Sequence, residues 1–262
     1  MSFALVALAA VLVSALTMFS GFGLGTLLMP VFALFFPVES AVAATAVVHA
    51  ANNVLKAAVL GRSADWNVVF RFGVPALAAS FAGAALLGLL SHSGAIYSYN
   101  IFGLEALVTP LKLLMGLLMI FFAFFELLPR LAGLRFDRRY LAFGGVLSGF
   151  FGGLSGHQGA LRSAFLVKTG LGTEAFVGSN AVIGLMVDFA RLLVYGAIFI
   201  GADHAAMLEG RNGALILTGM LAAFAGVFLG RRLMKKVTMS LVQNITGVLL
   251  LLIAVLLTAG II

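Results

Sequence analysis

Two glycine-rich breaks interrupt hydrophobic stretches that are each longer than one membrane crossing. They are Gly21-Phe22-Gly23-Leu24-Gly25 within residues 3–36 and Gly152-Gly153-Leu154-Ser155-Gly156-His157-Gln158-Gly159 within residues 140–169. Glycine at this density works against a continuous helix, since each one costs about 1 kcal/mol relative to alanine in a helix interior. A bilayer interior tolerates irregular backbone only where protein or a water-filled cavity satisfies its polar groups. A chain with two such breaks must therefore build a sheltered region around them.

The rest of the sequence makes a membrane the expected surroundings. A hydrocarbon core roughly 30 Å thick is crossed by about 20 apolar helical residues. The stretches 40–60, 68–90, 106–128, 174–200, 214–234 and 240–262 meet that requirement. The chain is 63% hydrophobic and 10% charged, whereas a soluble domain carries about 25% charged residues. Its net charge of +7 on so apolar a chain points to anionic lipid surfaces rather than nucleic acid. Without cysteine, disulfides, Fe–S clusters and thiolate metal sites are excluded. No Lys or Arg precedes the first hydrophobic run, so residues 1–20 read as structure and not as a cleaved signal.

Sliding the chain by 135 positions superimposes the two breaks, Gly21 on Gly156. The same shift pairs Glu39 with Glu174, Val42 with Val177, Asn53 with Asp188, Lys56 with Arg191 and Gly61 with Gly196. Further on, a shift of 143 pairs Phe81-Ala82-Gly83 with Phe224-Ala225-Gly226. The chain therefore reads as a duplication, with repeats at 1–130 and 131–262.

Cytoplasmic loops near span ends collect Lys and Arg, and this decides how the repeats are oriented. If each broken segment crosses once, the loop positives divide 7 to 6 and show no bias. If each dips in and returns, eleven of them (Arg62, Arg71, Arg130, Arg135, Arg138, Arg139, Lys168, Arg231, Arg232, Lys235, Lys236) fall on one side, against Lys112 and Arg211. The fold class expected is thus an all-α polytopic membrane protein of two inverted-topology repeats. Each repeat has a Gly-broken re-entrant hairpin followed by about three transmembrane helices, with both termini outside. Arg138 and Lys235 on opposite faces would contradict this arrangement.

Polar residues inside the spans are costly against lipid and are expected to face the interior. His49, Asn52, Asn53 and Lys56 follow i, i+3, i+4, i+7 spacing and share one helix face. The second half adds His157, Gln158, Arg162, Ser179, Asn180, Asp188 and Arg191. The arms returning from near Gly25 and Gly159 would aim their N-terminal N–H groups at one central region, which favours a small anion. Arg162, too deep to snorkel easily, would attract it. Backbone around Gly23, Gly25, Thr26, Gln158 and Gly159 would bind its oxygens, and Asn52, Asn53, Ser179 and Asn180 would complete the lining. His49 or His157 would carry a coupled proton. Plainer readings stand beside these. Lys56 can snorkel to the surface, Asp188 and Arg191 can form a structural ion pair, and the histidines can be interior hydrogen-bonders. Gly83, Gly88, Gly226 and Gly230 read as close helix packing.

At its glycine breaks the sequence resembles the TauE/SafE family of membrane permeases, often described as sulfite exporters. Each half of a member opens with a G-x-G-G-G-type segment, then an apolar stretch, often with Pro, then a helix rich in Ala, Ser, Thr and Asn. Here those are Gly21 to Gly25 with Pro30 and residues 41–53, and Gly152 to Gly159 with Gly178-Ser179-Asn180-Ala181. Gly61-Arg62-Ser63-Ala64-Asp65-Trp66 is similar to the family's short loop after that helix. Leu24 and His157-Gln158 interrupt the two glycine runs. The resemblance implies a non-enzymatic secondary transporter that exports sulfite or organosulfonates, with proton coupling and no cofactor. Its partners would be a small inorganic or organic sulfur anion and membrane lipids, but no nucleic acid. Its place would be the inner cell membrane, and a homodimer is the expected assembly.

Two other functions fit parts of the sequence. Gly153-Leu154-Ser155-Gly156 matches the G-x-S-G motif of rhomboid intramembrane serine proteases. Nucleophilic catalysis needs a base within reach of the serine, and the only later histidine, His204, falls in a loop. A divalent metal permease is the other alternative, though no clustered His/Asp/Glu set supplies a metal site.

Overall fold

In the computed structural model, residues 2–20, 24–101, 103–200, 210–233 and 239–262 are described. Twelve α-helices and one short hairpin account for most of them. In the first half, α1 (Ser2–Ser20) and α2 (Leu24–Ala33) flank the first break. α3 (Val38–Leu60) follows, starting after Pro37 with Glu39 in its first turn. α4 (Trp66–Val68) is capped by Asp65, whose carboxylate accepts the Val68 N–H at 3.1 Å. It passes through a π-helical stretch, Val69–Gly73, into α5 (Val74–Ser91).

A hairpin of β1 (Tyr97–Ile101) and β2 (Leu104–Val108) then leads to α6 (Pro110–Leu127) and the single turn α7 (Pro129–Ala132). The second half contains α8 (Leu141–Ser155), α9 (Gly159–Leu166), α10 (Thr173–Ile200), α11 (Gly210–Leu233) and α12 (Met239–Thr258).

Among the described residues, five helical segments are long and apolar enough to cross a membrane: Val38–Ser63, Trp66–Ser91, Pro110–Leu127, Thr173–Ile198 and Gly210–Gly230. They coincide with the first five stretches picked out by hydropathy. The sixth stretch is α12, 20 residues long and apolar over its described side chains, Gln243–Thr258. One boundary differs. Residues 106–108 lie in β2 and not in the following helix, because Pro110 at the first turn and the Thr109 hydroxyl, accepting the Lys112 N–H at 3.1 Å, start α6 there. The hairpin is pinned by Leu107 N–H on the Gly260 carbonyl at 3.0 Å and by Tyr99 O–H on the Ala259 carbonyl at 2.7 Å.

Small residues set the helix pairings. Gly83, Gly145, Gly149 and Gly153 leave no room for a Cβ at the α5–α8 contact, where each sits on backbone of the opposing helix. Their partners, Phe72 to Gly145, Ala76 to Gly149 and Ser80 to Gly153, advance in the same sense, so α5 and α8 run parallel. α1 and α11 are also parallel, with Gly219 beside Val6, Gly226 on Val11 and Gly230 on Ala15. Gly88 meets Ile198.

α3 and α10 run antiparallel: Gly178 faces Leu60, Gly184 faces Asn53, and Asp188 faces His49. α6 and α12 are antiparallel too, with Gly116 against Thr258 and Gly247 against Leu127. Exchanging the two halves of the chain maps this set of pairings onto itself.

Each broken segment turns back on itself. Phe165, near the end of α9, packs on Gly144 at the start of α8 and stacks on Phe136 at 4.4 Å, while the Phe136 N–H bonds the Ala164 carbonyl at 3.0 Å. The chain thus enters and leaves the α8–α9 pair at one end. In the first half, Val6 of α1 and Phe32 of α2 both pack on Gly219, so the start of α1 and the end of α2 lie together. The Arg211 guanidinium meets Ser2 at 3.0 Å at that end, and Lys112 reaches the Gly260 carbonyl at 3.3 Å. Asp65 with Arg138 at 3.6 Å and Asp137 with Lys168 at 3.5 Å mark the other.

Candidate functional site

The two breaks meet in the interior. A Cβ built on Gly25 would lie 3.1 Å from the Gly156 carbonyl and 3.6 Å from the His49 ring. Gly156 adopts φ +81°, a left-handed conformation that closes α8 as a glycine C-cap, and its Cβ position is 3.0 Å from the Arg191 guanidinium. Behind the breaks, α3 and α10 bring their polar faces together. Asn180, Gly184, Asp188 and Arg191 recur at helical spacing on α10, and His49 and Asn53 on α3 face this row. Gly184 is the smallest residue in this row, and a Cβ there would fall 3.5 Å from Arg162 and closer still to Asn53.

Asp188 is the hub. His49 Nδ1 donates to its Oδ2 at 2.7 Å, Asn53 Nδ2 donates to the same oxygen at 3.0 Å, and Arg191 Nε donates to Oδ1 at 3.0 Å. The Arg191 guanidinium also lies in ion-pair contact at 2.7 Å and reaches the Gly152 carbonyl at 3.4 Å. Asn53 and Asp188, the residues matched by the 135-position shift, therefore bond each other directly. With Nδ1 committed to the carboxylate, His49 carries its free ring edge toward Gly25.

A second group forms around Arg162 of α9. Its Nε donates to Asn180 Oδ1 at 2.6 Å and one terminal nitrogen donates to Gln158 Oε1 at 3.0 Å. Asn180 is in turn oriented by the Phe176 carbonyl at 2.9 Å, and the Gln158 carbonyl accepts the Ser148 hydroxyl at 2.9 Å. Arg162 interacts electrostatically with Lys56, His49 and Asp188. Both arginines and Asp188 are at most 1% exposed, and Lys56 is 5% exposed.

The sequence-derived candidates do not all meet at one place. His49, Asn53, Lys56, Gln158, Arg162, Asn180, Asp188 and Arg191 converge. Gly25 and Gly159 begin the returning helices beside them, and Thr26 is buried in the first turn of α2. Asn52 faces α1, where its Oδ1 accepts the Ser14 hydroxyl at 3.0 Å. Lys56 does not reach for the surface: its Nζ donates to the Thr17 carbonyl at 3.4 Å.

Ser179 is turned away from the cluster. Its hydroxyl accepts the Asp65 N–H at 2.9 Å, one residue around the helix from the inward row. Gly23, Lys235, Lys236 and His204 lie outside the described residues.

His157 stacks on Phe122 of α6 at 5.2 Å, and its Nδ1 is 3.0 Å from the Ser155 hydroxyl. That hydroxyl gives its single proton to the Phe151 carbonyl at 3.0 Å, so His157 donates to Ser155 and does not act as its base. Among the described residues, buried polar atoms without a hydrogen-bond partner include His157 Nε2 and Gln158 Nε2 at the second break, and Asn52 Nδ2 on α3. Two of these are amide donors, and the third belongs to a titratable ring. Among the described residues no group of three His, Cys, Asp or Glu gathers closely enough to hold a metal ion.

Sequence reasoning passed over Ser14, Thr17 and Tyr195, whose hydroxyl bonds the Gly153 carbonyl. It also passed over Glu126, an acid in an otherwise apolar span, 4% exposed and hydrogen-bonded to Gln243 of α12. A polar residue within an apolar run was the available signal in each case.

Apolar helices of membrane-crossing length around a buried, cation-rich polar cluster define a polytopic membrane protein of the transporter class. The chain belongs to the TauE/SafE sulfite exporter family, whose model, Sulfite exporter TauE/SafE, matches residues 6–257. Family members are transporters and not enzymes, which sets aside the rhomboid-like reading of Ser155. No curated protein and no solved structure matches the chain.

Proposed function

We propose that the protein is a secondary transporter of the inner cell membrane that exports small anions, sulfite or organosulfonates, from a site between the two breaks. The observation that carries this reading is the charge of the centre. Among the described residues, Lys56, Arg162 and Arg191 are buried there around one carboxylate, that of Asp188, and the Gln158 Nε2 beside Arg162 is a donor without a hydrogen-bond partner. Buried charge is stable only when compensated, and an anion seated near Gly25, Gln158 and Gly159 would supply both the charge and the acceptors. The N-termini of α2 and α9 add oriented N–H groups to the same place.

The halves 1–130 and 131–262 act as inverted repeats in this reading. Support comes from the antiparallel pairing of α3 with α10 and of α6 with α12, and from hairpins that each return to their end of origin. Six crossings then put Arg138, Lys168 and nine further loop cations inside, with Lys112 and Arg211 outside. Rocking of the α1–α11 and α5–α8 pairs against the α3–α10 centre would expose the site alternately to the two sides. His49 and His157, each with one ring nitrogen directed away from its hydrogen-bond partner, are the groups available to carry a coupled proton.

The test is uptake of labelled sulfite by proteoliposomes with a pH gradient of either sign, in competition with sulfate, thiosulfate, sulfoacetate and acetate. Saturable flux that competitors suppress is the expected result. Absence of flux for every anion would refute the assignment.

A further inference from the structure

Away from the buried centre, a cavity of about 460 Å³ opens where the π-helical stretch Val69–Gly73 meets the start of α8. Three arginines, Arg71, Arg138 and Arg139, share its wall with Phe70, Val74 and Leu141. π-helical insertions are rare and frequently occur at functional sites. This one precedes Pro75 and swings Phe70 and Arg71 outward, both exposed, beside Val74. The surface around it is apolar: Phe70 is 60% and Phe143 59% exposed, as expected of side chains that face acyl chains.

Charge in the cavity is lopsided. Asp65 offsets Arg138 at 3.6 Å, and Arg139 lies over the Tyr140 ring at 4.7 Å, which orients the guanidinium without neutralising it. Among the described residues no acidic side chain lines the cavity beside Arg71 and Arg139. A compact cationic pocket at the end of a lipid-facing apolar surface matches one occupant in both its parts. The phosphate of an anionic phospholipid fits the arginines, and its acyl chains fit the Phe70, Val74 and Phe143 face. Arginine is suited to this, since its planar fork binds phosphate oxygens in pairs.

We infer that the cavity formed by Arg71, Arg138 and Arg139 at the α5–α8 junction is a binding site for the headgroup of an anionic phospholipid. The site holds the lipid against α5 and α8, the parallel pair whose backbones touch through Gly145, Gly149 and Gly153. A bound lipid there acts on a pair that would move during transport. The inference rests on the membrane orientation proposed above only for the leaflet, the cytoplasmic one, where anionic lipids are abundant. The binding itself is independent of the transported anion.

Native mass spectrometry of the whole protein released from nanodiscs of mixed phosphatidylglycerol and phosphatidylcholine tests it. The wild-type chain should retain phosphatidylglycerol at least several-fold over phosphatidylcholine. The Arg71→Gln/Arg139→Gln variant should lose that preference, and Arg130→Gln, at the same end but outside the cavity, should keep it. All substituted side chains are exposed, so monodisperse folded protein is expected, and an Arg71→Lys/Arg139→Lys variant with partial retention guards against a folding artefact. An unchanged preference in the Gln variant, or equal loss in Arg130→Gln, would overturn the site. Displacement of the lipid by millimolar inorganic phosphate would overturn it as well, since a free ion would then suffice. Sulfite flux does not enter the readout, so failure of the transport assignment would leave this result standing.

Discussion

His49 Nδ1 lies 2.7 Å from Asp188 Oδ2, a hydrogen bond across 139 positions that locks α3 to α10 at the level of the two glycine breaks. Arg191 holds the same carboxylate from one turn further along α10, so Asp188 joins His49 and Asn53 of the first half to Arg191 of the second. Removing one member of a buried ion pair leaves the other uncompensated, at about 3–5 kcal/mol.

Asp188→Asn should therefore lower thermal stability by several degrees in detergent and abolish transport. The double variant Asp188→Asn/Arg191→Gln, which removes both charges, should recover part of the lost stability while remaining inactive. Melting curves of the three proteins check this, and a double variant less stable than Asp188→Asn would contradict it.

Arg162 is held by the oxygens of Asn180 and Gln158 and lies within electrostatic reach of Asp188, at the site proposed for the anion. Arg162→Ala should reduce sulfite flux at least a hundredfold with the protein still folded. Arg162→Lys, which keeps the charge and loses the planar fork, should retain measurable flux with a raised KM. Unchanged flux in Arg162→Ala would remove its assigned role.

Gly156 combines a left-handed backbone, φ +81°, with the Arg191 guanidinium 3.0 Å from where a Cβ would stand. A non-glycine residue in that conformation costs about 1–2 kcal/mol before the contact with Arg191 is counted. Gly156→Ala should thus depress both stability and flux. Gly25→Ala, with no strained backbone and a 3.1 Å approach to the Gly156 carbonyl, should affect flux more than stability.

The chain has no cysteine of its own, so single-cysteine variants report sidedness directly. Cysteines replacing Arg138 and Lys168 should react with a membrane-impermeant thiol reagent from the cytoplasmic side. Those replacing Lys112 and Arg211 should react only from outside. Labelling of Arg138→Cys and Arg211→Cys from the same side would exclude the inverted arrangement.

Local chemistry was readable in the sequence. Hydropathy placed the five membrane-length helices, because burial in lipid depends on composition over a window of about 20 residues and not on neighbours. The grouping of His49, Asn52, Asn53 and Lys56 on one face followed from helical periodicity alone, and the breaks followed from glycine density. The β1–β2 hairpin was hidden, since Tyr97–Ile101 and Leu104–Val108 are five residues each and the apolar β2 merged with the start of α6.

What the tertiary structure alone decided were the partnerships. That Asp188 would take His49 and Asn53 as well as Arg191, that Ser14 and Thr17 would engage Asn52 and Lys56, and that Ser179 would turn to Asp65 depend on how helices rotate against each other. A rotation of one residue, about 100° around a helix, separates Ser179 from Asn180 and so divides a side chain that closes a distant turn from one that holds Arg162. Sequence determines which groups a helix carries, whereas close packing through glycine contacts determines which of them meet.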